Sequence, residues 1–265
     1  MTAYRYPTEQ LILAGTLVLV LGVILIVAPV TLGGGALVVG VVVAVTYLLN
    51  SMRHNELLRR ARRVTPQAMP QLAELVQGCA ARLKPGRFVT FLAPTPALNA
   101  YTFGLDEPRT VVIYTGVLNV MDADEVRFIV GHELGHIALG HTWLNSLVGG
   151  MAGIPSPYLT AALFYFVFRW WNRACEYSAD RAGLLACGRP DKAISALVKL
   201  TGQTTRSPEA MQQALARIEA HDEAIGSLLG EAVSTHPMIT RRIQALREWA
   251  GSAEYRRLQQ RVAGA

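Results

Sequence analysis

The feature that most constrains this chain is a long run near its N-terminus, residues 10–52, that has no charged side chain. Leu11 to Val30 is a predominantly apolar stretch of 20 residues, long enough to cross a hydrocarbon core of about 30 Å as a helix. Glycines at 33–35 interrupt the run, and a second apolar stretch follows from Ala36 to Leu49. Two spans joined by a tight turn predict a transmembrane helical hairpin over residues 1–52. A cleaved signal peptide or a pair of buried core helices is the alternative.

Arginines follow the second apolar stretch directly, in a basic juxtamembrane segment, 53–64. They are Arg53, Arg59, Arg60, Arg62 and Arg63. The positive-inside rule makes this flank cytoplasmic, which predicts a multi-pass protein of the plasma or inner membrane whose remaining domain lies in the cytoplasm. The cluster is expected to contact anionic lipid headgroups, although a solvated helix face would have the same composition. No nucleic-acid-binding motif accompanies it, so nucleic acid is not an expected partner.

The composition agrees with a membrane-anchored chain in a reducing compartment. Charged residues make up 17% of the chain, below the roughly 25% of average soluble proteins. The three cysteines, Cys79, Cys175 and Cys187, are scattered and form no CxxC pair. This spacing argues against a disulfide framework.

Residues 65–265 have the pattern of one domain. A helix is predicted from Thr65 to about Leu83, and helical patterns dominate the C-terminal half. Three β-rich runs separated by turn residues lie between them: Phe88–Ala93, Ala100–Gly104 and Thr110–Thr115. The predicted fold class is therefore α+β, mainly helical with a small β-sheet. An uncharged stretch, 143–168, contains two prolines and is predicted to be a membrane-associated insert or a core helix.

The stretch IVGHELGHIALGH, residues 129–141, predicts a metal site. His132 and His136 are four residues apart and therefore share one helix face, where two imidazoles can bind one zinc ion. Glu133 lies beside that face, where its carboxylate can act as a general base on a metal-activated water. This is the HExxH arrangement of two ligands and a base. The alternative is an ordinary core helix with two buried, hydrogen-bonded histidines.

A catalytic zinc needs a third protein ligand, and EYSAD at 176–180 supplies the better candidate. Glu176 can be that ligand, and Asp180, one helical turn later, can hold a ligand histidine by its other ring nitrogen. His141 follows His136 by five residues, which turns it off the ligand face, so a supporting role is predicted for it. The alternative for EYSAD is a solvated acidic pair on an amphipathic helix.

The tetrapeptide STHP, residues 234–237, precedes a helix start. From this loop His236 can approach the site and stabilise an oxyanion. Arg241, one turn into the helix, is a similar candidate. The alternatives are a residue next to a helix cap for His236 and a surface charge for Arg241.

These motifs together resemble a known family. The matching segments are HELGH (132–136), EYSAD (176–180), THP (235–237), RRI (241–243) and NAYTFG (99–104). The combination, over about residues 65–250, resembles the HtpX-like and CAAX-prenyl-endopeptidase-like membrane metallopeptidases.

The resemblance implies a gluzincin zinc endopeptidase with a zincin-like fold and one Zn²⁺ per chain, acting on membrane or misfolded proteins. It implies that His132, His136 and Glu176 are the ligands, that Glu133 is the base and that Asp180 supports a ligand. It also implies that an extended substrate peptide pairs with an edge strand. The residues assigned to that strand are Asn99, Ala100, Val111, Val112, Ile113 and Tyr114.

Three functions are compatible with the sequence. The leading hypothesis is a membrane-bound zinc endopeptidase with Glu133 as general base. The second is a membrane-anchored adaptor or holdase in which zinc is structural, which would require a fourth ligand that the sequence does not supply. The third is a zinc hydrolase with a non-peptide substrate.

Overall fold

The structure is a computed structural model in which residues 3–30, 34–148, 159–202, 207–225 and 239–263 are described. Helices dominate and one small sheet accompanies them, as the sequence predicts. The helices are α1 Glu9–Val30, α2 Gly34–Arg60, α3 Pro70–Leu83, α4 Thr115–Val120, α5 Ala123–Ala138, α6 His141–Val148, α7 Leu159–Cys187, α8 Pro190–Leu200, α9 Pro208–Ile225, α10 Ile239–Ala250 and α11 Ala253–Ala263. The strands are β1 Arg62–Arg63, β2 Phe88–Ala93, β3 Ala100–Phe103 and β4 Arg109–Tyr114.

Helices α1 and α2 are long and apolar enough to cross a membrane. Their aliphatic side chains face outward: Leu11 and Ile26 are each 74% exposed, and Leu37 is 69% exposed. Contiguous apolar surface of this kind is unfavourable in water and marks a lipid or protein contact. Together with their length, this exposure indicates a membrane protein.

The C-terminal part of α2 packs on the sheet. The rings of Tyr47 and Phe103 stack with centroids 6.1 Å apart, and His54 Nδ1 lies 3.0 Å from the Tyr101 hydroxyl. The helix continues through residue 52, where the sequence predicts the end of the hairpin, to Arg60. The basic segment 53–64 thus comprises the last turns of α2 and the short strand β1. Among its arginines, Arg53 is partly buried and the other four are exposed.

The strand order is β1-β2-β4-β3. β4 pairs in parallel with β2 along its whole length and antiparallel with β3. The assignment of Val111, Val112, Ile113 and Tyr114 to an edge strand is therefore wrong, because both sides of β4 are already paired. The physical reason is burial: the three aliphatic residues are at most 1% exposed, and a strand buried on both faces has a continuous apolar run.

Different helices pack on the two faces of the sheet. Tyr101, Phe103, Val112 and Tyr114 face α2. The opposite face, with Val111 and Ile113, joins a larger core with α3, α5, α7 and α8. Helix α5 is thus buried between the sheet and the C-terminal helices.

Two glycines let α5 approach α7 closely. A Cβ added at Gly131 would lie 2.4 Å from the Ala186 Cβ, and one added at Gly135 would lie 2.5 Å from the Ala182 Cβ. No side chain fits between the two backbones at these points, because ordinary carbon contacts are about 3.5–4.0 Å. This contact brings the HELGH and EYSAD segments together.

The remaining differences from the predicted elements lie at helix boundaries. Helix α3 begins at Pro70, because Thr65 instead forms a turn in which its carbonyl accepts from the Ala68 and Met69 amides. The helix predicted to begin after STHP ends at Ala250, and a separate helix, α11, begins at Ala253. Residues 149–158 of the predicted membrane-associated stretch lie outside the described residues.

Substitution of Gly131 by alanine should lower the free energy of unfolding. The added methyl group overlaps Ala186, and overpacking costs about 1–3 kcal/mol. Gly78→Ala in α3 is the matched control, since no atom lies within 4 Å of a Cβ there and helix propensity favours alanine by about 1 kcal/mol. Denaturant unfolding in detergent measures both variants. Equal shifts of the two midpoints would contradict the close contact.

Candidate active site

Local sequence fixes the start of the site helix α5. The Asp122 side chain accepts hydrogen bonds from the Asp124 and Glu125 amides, and the Glu125 side chain accepts from the Asp122 amide. This capping box satisfies amides that a helix start otherwise leaves unpaired. From there the apolar residues Phe128 and Leu134 enter the core, and His132, Glu133 and His136 follow in register.

Three potential metal ligands converge between α5 and α7. The Nε2 atoms of His132 and His136 are 3.1 Å apart. Each lies 3.5 Å from an oxygen of the Glu176 carboxylate, and all three ligand atoms are within 4.8 Å of one another. The site is nearly closed to solvent, since the His132 and His136 side chains are 10% and 7% exposed and that of Glu176 is 12% exposed.

Asp180 orients one of the histidines. Its Oδ1 atom lies 3.0 Å from His132 Nδ1, and because an ionised carboxylate only accepts, the imidazole donates from Nδ1. A neutral His132 therefore has its lone pair on Nε2, which lies beside His136 Nε2 and Glu176 and is available to a metal. Two imidazoles and one carboxylate are a zinc donor set, and an aspartate behind a ligand histidine is the usual support.

Arg242, which the sequence prediction missed, completes the charge network. On α10, its Nε and Nη2 atoms donate to Asp180 at 2.7 and 2.5 Å, and its Nη1 atom lies 3.0 Å from Glu176. Arg241, the residue selected from the sequence, is exposed. Helical spacing could have separated them, because Arg242 shares the apolar face of Ile239 and Leu246.

The pKa values of the two α7 carboxyls are set by this network. Burial alone would raise the pKa of Glu176, but Arg242 and the histidines outweigh it and hold that pKa well below the ordinary value. Asp180 behaves likewise: burial opposes ionisation, and Arg242 and His132 overcome it, so its pKa is lowered. Both side chains are ionised at neutral pH.

Glu133 has the opposite shift. Its side chain is buried, and burial raises its pKa despite the nearby His132, His136 and Arg242. A carboxyl with a raised pKa is a stronger base when ionised. With Glu133, Glu176 and Asp180 all ionised, one arginine leaves the site negative, and a divalent cation would balance it.

A second group of buried residues lies behind His136. Its Nδ1 atom is 3.0 Å from His141 Nδ1, and His141 Nε2 is 3.0 Å from Glu9 Oε1. Glu9, in the first turn of α1, is 1% exposed. Sequence reasoning gave His141 a supporting role but did not identify Glu9, whose only signal was a carboxylate at the start of an apolar run.

Three predicted site residues remain: Ala100, Asn99 and His236. Ala100 begins β3, which is a terminal strand of the sheet. Asn99 precedes it, and its carbonyl accepts a hydrogen bond from the Tyr114 amide at 3.1 Å. His236 lies outside the described residues.

Replacement of Arg242 by methionine should lower the free energy of unfolding by about 3–5 kcal/mol, because Asp180 and Glu176 would remain buried without their cation. Arg241→Met, the neighbouring control, removes an exposed charge and should change it by less than about 1 kcal/mol. Thermal or denaturant unfolding of the metal-free proteins measures the difference. A stable Arg242→Met protein would contradict the ionised network.

Comparisons with known proteins find similarity to proteases and to a metallopeptidase. A protease HtpX homolog of Moorella thermoacetica is 27% identical over 235 residues, which cover 74% of this chain and 78% of that protein. One of Trichormus variabilis is 24% identical, with 81% and 87% covered. The plastoglobule-localized metallopeptidase 48 of Arabidopsis thaliana chloroplasts is 27% identical, with 65% of this chain and 54% of that protein covered. The profile of Peptidase family M48 matches residues 65–250, well over half of the sequence, and the chain therefore belongs to that family.

Proposed function

We propose that this protein is a membrane-bound, zinc-dependent endopeptidase with a zincin-like catalytic domain. The observation that supports it most directly is the convergence of His132, His136 and Glu176, with Glu133 on the same helix. The family assignment and the names of the relatives, which are proteases and a metallopeptidase, support peptide hydrolysis.

In the proposed mechanism, His132, His136 and Glu176 hold the zinc ion. When bound, zinc polarises the scissile carbonyl and makes water more acidic. Glu133 takes a proton from the attacking water and returns it to the leaving amine. Asp180 and Arg242 keep the ligand side chains in position, and the buried surroundings strengthen each of these electrostatic interactions because little water screens them.

A catalytic site is favoured over a structural one by the ligand count. Structural zinc sites are usually closed by four protein ligands, whereas catalytic sites keep one position for water or substrate. The described residues supply three ligand atoms that face one another. This favours the peptidase over the adaptor.

The terminal strand β3 is the proposed platform for an extended substrate. One of its sides pairs with β4, and the strand contacts α5, which holds the histidines. A peptide that adds along the other side, beginning at Ala100, would lie along the site by β-augmentation. His236, three residues before the start of α10 in the sequence, remains a proposed oxyanion donor.

Helices α1 and α2 are proposed as a transmembrane hairpin, with the catalytic domain on the cytoplasmic side. The basis is the exposed aliphatic surface of both helices and the arginine-rich end of α2. Exposed arginines at a membrane edge would contact anionic headgroups. They are Arg59, Arg60, Arg62 and Arg63, with Arg53 beside them.

Glu133→Gln should keep bound zinc and lose proteolysis, by at least about 10²-fold, the lower range for a general base. The amide keeps the size of the side chain but cannot take the proton. Zinc content and cleavage of casein are measured on the same detergent-purified sample. Glu74→Gln, at an exposed position on α3, is the matched control. Full proteolysis in zinc-loaded Glu133→Gln protein would refute the assignment.

Removal of zinc by a chelator should abolish cleavage and leave most of the helical signal in circular dichroism. The fold does not depend on the metal alone, because α5 and α7 share an apolar contact besides the ligands. Added zinc should restore the activity. Loss of the helical signal on chelation would instead favour the structural zinc of an adaptor, and a cleavage screen with esters and amides distinguishes a non-peptide hydrolase.

A further inference from the structure

A line of buried polar groups joins the first turn of α1 to the proposed metal site. Glu9 Oε1 lies 3.0 Å from His141 Nε2, and His141 Nδ1 lies 3.0 Å from His136 Nδ1. Glu9 and His141 are each 1% exposed and His136 is 6% exposed. Water is nearly excluded from these contacts, so the three side chains set each other's hydrogen-bonding roles.

The carboxylate of Glu9, at one end of this line, determines which atom donates in each hydrogen bond. An ionised carboxylate accepts only, so His141 donates from Nε2 to Glu9. A neutral imidazole with its proton on Nε2 has a lone pair on Nδ1, which then accepts from His136 Nδ1. The proton of His136 is consequently on Nδ1, and its Nε2 lone pair is available to a metal.

We propose that Glu9 is a positioning residue for His136: through His141 it fixes the tautomer in which Nε2 of His136 can bind the metal. This inference rests on the zinc site of the proposed function. Asp180 has the corresponding role for His132 by direct contact. The two ligand histidines thus have separate carboxylate supports, one within the catalytic domain and one on the first apolar helix.

Other contacts hold Glu9 in place for this role. Arg5 and Ser178 both donate to its carboxylate, and Ser178 Oγ also accepts from the Tyr6 amide at 2.8 Å. Arg5 in turn donates to the Leu139 carbonyl at 2.7 Å, just after the site helix. The segment before α1 is therefore tied to α5 and α7.

The same neighbourhood could be read as a second metal site, since ligand atoms of Glu9, His141 and Cys175 lie within 4.8 Å of one another. Two observations oppose that reading. The carboxylate already has a cationic partner in Arg5, and both ring nitrogens of His141 are within 3.0 Å of polar partners. A metal there would have to displace one of these contacts.

Nitrogen-15 NMR of histidine-labelled, full-length protein in detergent tests the proposal, since ring-nitrogen shifts distinguish the tautomers and the chain has six histidines. In metal-free wild type, His136 should be protonated at Nδ1 and His141 at Nε2. In Glu9→Met, His136 should gain the Nε2-protonated form. Its zinc dissociation constant should rise about 10–100-fold, the usual effect of losing such a support.

Three further variants separate positioning from general disruption. Glu9→Gln keeps an oxygen acceptor and should retain most of the zinc affinity. Thr16→Ala changes a residue of the same helix whose hydroxyl donates to the Ile12 carbonyl instead, and it should leave the His136 tautomer unchanged. If Glu9→Met does not fold, Glu9→Asp replaces it, because the aspartate side chain is one methylene shorter and its carboxylate falls short of His141. A smaller fraction of His136 should then change to the Nε2-protonated tautomer.

Unchanged tautomers and zinc affinity in Glu9→Met, or in Glu9→Asp if that is the folded variant, would overturn the role of Glu9. So would a wild-type stoichiometry of two zinc ions that falls to one in the variant, because Glu9 would then be a ligand. A wild-type protein that binds no zinc would overturn the proposed function instead. The tautomers are observed in metal-free protein, so they decide the role of Glu9 separately.

Discussion

The close packing of α5 on α7 is the constraint on which the rest of the site depends. The candidate ligands come from two helices, and helix axes usually stay 8–10 Å apart because side chains separate them. At Gly131 and Gly135 the partners are Ala186 and Ala182, so only hydrogen and methyl groups lie between the backbones. Each glycine lowers intrinsic helix stability by about 1 kcal/mol. The short separation it permits lets histidine and glutamate side chains face one point.

The buried ionised groups of the site stabilise one another. A buried carboxylate is unfavourable unless it is paired and hydrogen-bonded, and Arg242 serves both Glu176 and Asp180. Because Arg242 belongs to α10, this helix is held to α7 by charge as well as by the apolar residues beside it. At Glu133 the same arginine does not offset burial, so the pKa of this carboxyl is raised, and the candidate base differs from the candidate ligand within one pocket.

Sequence reasoning recovered what local spacing encodes and missed what depends on distant contacts. His132, His136, Glu176 and Asp180 could be paired from helical periodicity, and the structure brings them together. The position of β4 inside the sheet could not be predicted in this way, because strand order depends on which strands pair with each other. Arg242 had a usable signal in the apolar periodicity of its helix, and the choice of Arg241 overlooked it. Glu9 had only the weak signal of a carboxylate at the start of an apolar run, because His141 and Ser178 lie more than a hundred residues away in the chain.

Helix α2 determines whether the domain that follows it would be soluble as a separate fragment. Its last turns cover a sheet face formed by Tyr101, Phe103, Val112 and Tyr114. A fragment that begins after α2 would have every ligand of the site but would expose these aromatic and aliphatic side chains to water. Such a patch promotes association between molecules. Cutting the chain after α2 would therefore produce a domain that aggregates, and a soluble form would need polar replacements on that face of the sheet.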